Sequence, residues 1–132
     1  MRRAWLFLAI LSVVASTAGA GQAWVPLDRW TEASPPTALS LVLRDWRRPA
    51  HGEVEAVASL RLADGSEQEV ARFVPTEQGS AREVRVRLRL EPRLGAAAQR
   101  SPLHVRVRLE PIYGKTAGAG LELASARLER ID

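Results

Sequence analysis

Two stretches of this chain alternate apolar and polar residues without a break, and that period of two dictates the fold. In Glu83–Glu91, Val84, Val86, Leu88 and Leu90 share one face while Arg85, Arg87 and Arg89 share the other. In Leu103–Glu110, Leu103, Val105, Val107 and Leu109 lie opposite His104, Arg106 and Arg108. Successive side chains point to opposite sides of a β-strand, so a strand is the one regular structure that gathers each apolar set on a single side. Each stretch closes on a Glu-Pro pair, Glu91-Pro92 and Glu110-Pro111.

The same period recurs along the chain. Leu39, Leu41 and Leu43 mark a strand over residues 38–46, and Val54, Ala56, Ala58, Leu60 and Leu62 mark another over 53–62. Asp64-Gly65 supplies hairpin-turn chemistry, because glycine tolerates positive φ. A return strand over 67–74 ends at Pro75, and a last strand spans 120–131. That last strand slips phase, from Leu121 and Leu123 to Ala124, Ala126 and Leu128, which predicts a β-bulge near Ala124-Ser125. No segment sustains i, i+3, i+4 spacing, so no helix is expected beyond one short turn in Gly95–Arg100.

Strands apolar on one face must bury it, and two antiparallel sheets packed together do so economically. The expected fold is therefore all-β, an antiparallel two-sheet β-sandwich of six to seven strands over residues 38–132, of immunoglobulin- or fibronectin-like size. The chain has 132 residues, enough for one ordinary domain. It has no cysteine, which removes a disulfide framework, a thiol nucleophile and a thiolate metal site. His51 and His104 are its only histidines, too few for a His-rich copper or zinc centre, and no cofactor is expected.

Ahead of the strands stand two segments of different character. Arg2-Arg3, the apolar run Ala4–Val14 and the small residues ending in Ala18-Gly19-Ala20 form a secretory signal peptide over residues 1–20, with cleavage after Ala20 and Ala23 as second choice. Residues 21–37 hold Trp24, Pro26, Trp30, Pro35 and Pro36 and read as an extended lead-in. The expected address is outside the inner membrane by the general secretory route, in the periplasm or beyond, with no membrane span after cleavage. Cleavage removes two arginines and leaves 17 basic against 15 acidic residues, a surplus that implies no nucleic-acid partner.

Catalytic constellations are missing. No G-x-S-x-G elbow, phosphate-cradling glycine loop or H-E-x-x-H motif accompanies the two histidines, and the acids mostly alternate with apolar residues on strands. The expectation is a non-catalytic protein. Its most distinctive surface feature is arginine: Arg85, Arg87 and Arg89 from one strand, Arg106 and Arg108 from the next. If those strands paired, five guanidiniums would form one lattice able to hold phosphate or carboxylate groups bidentately. The alternative is ion pairing with Glu83, Glu91, Glu110 and Glu122 on a solvated face. Trp24, Trp30 and Trp46 suit either sugar stacking or plugging the ends of the core. Tyr113 and Lys115 lie on a glycine-rich loop suited to contact.

The run Ala38–Trp46, followed by Pro49-Ala50-His51-Gly52, resembles the first strand and turn of the C-terminal β-sandwich of bacterial tyrosinases and plant polyphenol oxidases. Val70–Val74, with Phe73, and Val105–Pro111 followed by Leu121-Glu122-Leu123 resemble its other strands. In that family the sandwich shields a dicopper site and can insert one side chain as a plug. The resemblance implies an accessory chain to a copper oxidase, with Phe73 or Tyr113 as the plug. The copper-binding helical domain has no counterpart here, so oxidase activity does not follow.

Three functions remain open at this point. The first is an accessory protein that docks on another exported protein. The second is a binding module for an anionic glycan or lipid phosphate through the arginines. The third is the copper-oxidase accessory.

Overall fold

Every alternating segment becomes a strand. The computed structural model describes residues 23–75 and 83–131, so the signal peptide over 1–20 lies outside the described residues. Among these the elements are β1 (Val25–Pro26), β2 (Ala38–Arg47), β3 (Gly52–Arg61), β4 (Glu67–Phe73), β5 (Glu83–Arg89), α1 (Pro92–Arg100), β6 (His104–Gly114) and β7 (Gly120–Glu129). They form a four-stranded sheet in the order β1-β6-β3-β4 and a three-stranded sheet in the order β5-β2-β7, with every pairing antiparallel. The chain is thus a two-sheet sandwich with one short helix.

The core lies where the apolar faces meet. From β2 come Leu39, Leu41 and Leu43, which face Ala56, Ala58 and Leu60 of β3 and Val105 and Val107 of β6, all essentially without solvent contact. The inner strands, β2 of one sheet and β3 and β6 of the other, carry the best-buried residues, because each is flanked on both sides.

The phase slip in the last strand is a bulge. Val42 faces Ser125 and Leu43 faces Leu123, so Ala124 is the extra residue, and both halves of β7 keep their apolar side inward. The turn at Asp64-Gly65 is a hairpin turn: Gly65 has φ +88, its N–H donates to the Leu62 carbonyl, and Asp64 Oδ1 accepts from both the N–H and the hydroxyl of Ser66.

The expectation of no helix beyond a short turn is corrected by α1, nine residues long from Pro92 to Arg100. A proline at the first helical position loses only an N–H that the helix leaves unbonded, so the chain leaves β5 after Arg89 and starts the helix at Pro92, with Glu91 as its N-cap. Leu94, Ala97 and Ala98 form its buried side. Gly95 lets it approach the lead-in so closely that a Cβ there would sit 2.5 Å from the Pro36 carbonyl oxygen. The lead-in joins the fold: β1 pairs with β6, Leu27 is buried, and the Leu27 N–H donates to the Leu103 carbonyl at 2.9 Å.

Candidate functional site: the arginine faces

The two arginine strands fall in different sheets. β5, carrying Arg85, Arg87 and Arg89, pairs with β2, whereas β6, carrying Arg106 and Arg108, pairs with β3 and β1. The pairing that a five-arginine lattice requires does not occur. Alternation shows which residues of a strand share a side, but it carries no information on which strand lies next to it. The two arginine sets therefore have different surroundings and different chemistry.

On the four-stranded sheet Arg72, Arg106 and Arg108 are held by acids. Glu67 of β4 accepts from Arg106 Nη2 at 2.9 Å and from Arg108 Nη1 at 3.1 Å, reaching across β3. Arg108 also holds Glu110 at 2.7 Å, and Arg72 bridges Glu55, Glu69 and Glu110, each at 2.9 Å. The Glu110 carboxyl is held below the usual glutamate range by Arg108 first and then Arg72. Beneath these stems Val57 and Ser59 of β3 are buried on the outer side of the sheet, with Arg108 Nη1 donating to Ser59 Oγ at 3.2 Å. Long arginine stems cover apolar surface while their heads stay wet, so this face is a lid over a second, thin buried layer.

Trp24 completes the lid. Its ring lies under the guanidiniums of both Arg106 and Arg61, 4.4 and 5.0 Å from the ring centroid. Cation–π contact of this kind fastens the start of the lead-in to β6. Trp30 and Trp46 pack partly buried against the core. Neither of those two projects as a sugar-stacking platform.

The outer face of the three-stranded sheet is built differently. Its cross-strand rows read Arg89–Ala38–Glu129, Arg87–Ser40–Arg127, Arg85–Val42–Ser125 and Glu83–Arg44–Glu122. In the middle rows the central strand supplies the short side chains of Ser40 and Val42, flanked by Arg85, Arg87 and Arg127, so this part of the face is a groove. It encloses about 420 Å³ over a floor of Ser40 and Val42, between Arg85 and Arg87 on one side and Ser125 and Arg127 on the other. The Arg44–Glu83 pair at 3.2 Å closes one end and Glu129 stands at the other. Among the described residues, no carboxylate lies within ion-pair distance of Arg85 or Arg89. Arg127, which sequence reasoning did not single out, joins the site because the bulge at Ala124 returns β7 to register beside Ser40. The phase slip held that signal, but only pairing with β2 makes it legible.

Glu129 is the groove's one well-bound acid. Ser40 Oγ donates to its Oε1 at 2.5 Å, Arg127 Nη2 and Nε hold its Oε2 at 2.7 and 3.0 Å, and Arg87 Nε lies 3.4 Å from Oε1. The Ser40 hydrogen bond first, then Arg127, keeps its carboxyl below the usual glutamate range.

Phe73 and Tyr113 are not brought together. Phe73 faces Ala56 and packs against the core. Tyr113 sits beyond a bulge at Ile112, and the two are 62 and 52% exposed. Of the expected ion-pair acids, Glu83 holds Arg44, Glu91 lies 3.8 Å from Arg93, and Glu110 holds Arg108 and Arg72. Among the described residues no group of three His, Cys, Asp or Glu side chains is placed to hold a metal ion, and no helix is long and apolar enough to cross a membrane.

The fold and its two charged faces define a β-sandwich domain. Comparison with protein-family models, with curated proteins and with solved structures finds no match.

Proposed function

We propose that this chain is an exported, non-catalytic binding module that holds an anionic ligand, from a glycan or a lipid phosphate, in the groove of the three-stranded sheet. The observation that carries this reading is the contrast between the two faces. On the four-stranded sheet Arg72, Arg106 and Arg108 are each bonded to carboxylates, while in the groove Arg87 and Arg127 share the single carboxylate of Glu129 and Arg85 has none at ion-pair distance among the described residues. Residues two apart on one face of a strand leave the backbone ~6.8 Å apart, and planar guanidinium forks projecting from such positions suit carboxylate and phosphate oxygens. Export through the general secretory route would bring the groove to envelope glycans and lipids.

The test is co-sedimentation of the secreted chain with envelope polysaccharide and lipid at rising ionic strength. Binding that weakens steeply with salt, and disappears in the double variant Arg85→Glu, Arg87→Glu while the fold is retained, supports the groove. Binding unchanged in that variant overturns it.

A second reading is favoured by one separate observation. Ile112 and Tyr113 expose apolar surface at the end of β6, and Val74, just after β4, is 48% exposed. On this reading the module docks on another exported protein, and the contact survives high salt. The resemblance to the shielding sandwich would make that partner a copper oxidase and Tyr113, rather than the packed Phe73, its plug. Tyr113→Ala, followed by capture from the envelope fraction at high salt, separates this from the anion groove.

A further inference from the structure

Glu129 occupies the place in the groove where a ligand anion would sit. Its two oxygens take up the Ser40 hydroxyl and the Arg127 fork, and they draw in Arg87. Its side chain is only 17% exposed, against 63 and 74% for Arg87 and Arg127, so the carboxylate lies down between the cations rather than in solvent. Arg85, one row along, has no carboxylate at ion-pair distance among the described residues, and it lines the same groove.

A tethered carboxylate of this kind sets what can displace it. A ligand carboxylate brings the same two oxygens and the same single charge, and it must also lose translational freedom on binding, so the exchange yields nothing. A phosphate monoester brings three terminal oxygens and a charge of about −1.5 to −2 at pH 7. It can take over the Ser40, Arg87 and Arg127 contacts and extend to Arg85, which Glu129 leaves unused. We infer that Glu129 is the groove's resident anion and that it selects phosphate monoesters over carboxylates, because only the more highly charged group gains by replacing it. This rests on the groove being the binding surface.

A matched pair of probes tests it: glucose 6-phosphate and glucuronate share a hexose frame and differ in the anion. Isothermal titration of the secreted chain should give glucose 6-phosphate about tenfold or greater preference, a modest binding free-energy difference. In Glu129→Gln the glucuronate affinity should rise and the preference should shrink. Glu129→Asp, whose shorter side chain withdraws from Arg87, should move in the same direction and serves if the glutamine variant does not fold. Equal affinity for both probes in the native chain, or a preference untouched by either variant, overturns the inference while leaving an anion groove in place. Failure of both probes, and of vesicles of phosphatidylcholine with 20 mol% phosphatidic acid, to bind either form overturns the groove itself. Binding to those vesicles but not to glucose 6-phosphate, with the same gain in Glu129→Gln, assigns the phosphate to a lipid and supports the inference.

Discussion

Gly114 and Gly52 face each other across β6 and β3 so closely that a Cβ on Gly114 would lie 2.7 Å from the Gly52 Cα. Both have positive φ, +79 and +111. The two strands therefore meet backbone to backbone, and the adjoining loops are tied together by hydrogen bonds from Lys115 N–H to the His51 carbonyl and from Ala50 N–H to the Ala117 carbonyl.

Gly114→Ala should destabilise the fold by more than the ~1–2 kcal/mol that left-handed backbone alone costs a residue with a Cβ. Gly65→Ala is the control, since Gly65 also has positive φ but nothing within 4 Å of its added Cβ. Urea unfolding of the two variants checks this, and equal losses would mean that the close approach contributes nothing.

Gly95→Ala should also destabilise, against the usual rule. Alanine in a helix interior is ordinarily favoured over glycine by ~1 kcal/mol. Here the new Cβ would meet the Pro36 carbonyl oxygen at 2.5 Å, and that oxygen belongs to backbone that cannot swing aside. A rise in Tm would show that α1 and the lead-in are more loosely joined than the structure has them.

Arg108→Ala and Arg89→Ala should differ sharply, although both arginines point outward from strands. Loss of Arg108 uncovers Val57 and leaves the buried Ser59 hydroxyl without its partner, a change of the kind that costs ~1–3 kcal/mol. Arg89 is exposed and should matter little to stability. Denaturant midpoints measured side by side decide it, and similar losses would reject the idea of a lid.

Acid should weaken the fold through Glu110 and Glu129. Both carboxyls lie below the ordinary glutamate value of 4.5 in the folded chain. A depressed folded-state pKa means the unfolded chain takes up the proton first as pH falls, so the contribution is complete above that value and is lost as pH drops through the folded-state values. Unfolding monitored from pH 7 to pH 3 should show a plateau, then a decline, and Glu110→Gln should flatten the decline. A variant that keeps the full slope would remove Glu110 from the account.

Much of the fold was legible because alternation is a local property. The inward sides of β2, β5 and β6 and the slip at Ala124 could be read residue by residue. The partition of strands between sheets could not, since Arg87 and Arg106 sit in the same local pattern and differ only in their neighbours. The helix was obscured by its start: Glu91-Pro92 matches Glu110-Pro111, yet the first opens α1 whereas β6 runs on through Pro111 to Gly114. The burial of Val57 and Ser59 was hidden for another reason. Both occupy outward positions of β3, and much of their cover comes from Arg108 on β6, far away in sequence.

The unequal treatment of arginine on the two faces has a consequence for how the molecule meets a charged surface. One side pairs Arg72, Arg106 and Arg108 with acids; the other side leaves Arg85 and Arg89 facing water. Among the described residues the cross-strand rows of that outer face carry five arginines, Arg44, Arg85, Arg87, Arg89 and Arg127, against three glutamates, Glu83, Glu122 and Glu129. Approaching a negatively charged surface, it would be turned before contact, with the three-stranded sheet leading, and the turning would fade as salt shortens the reach of the field.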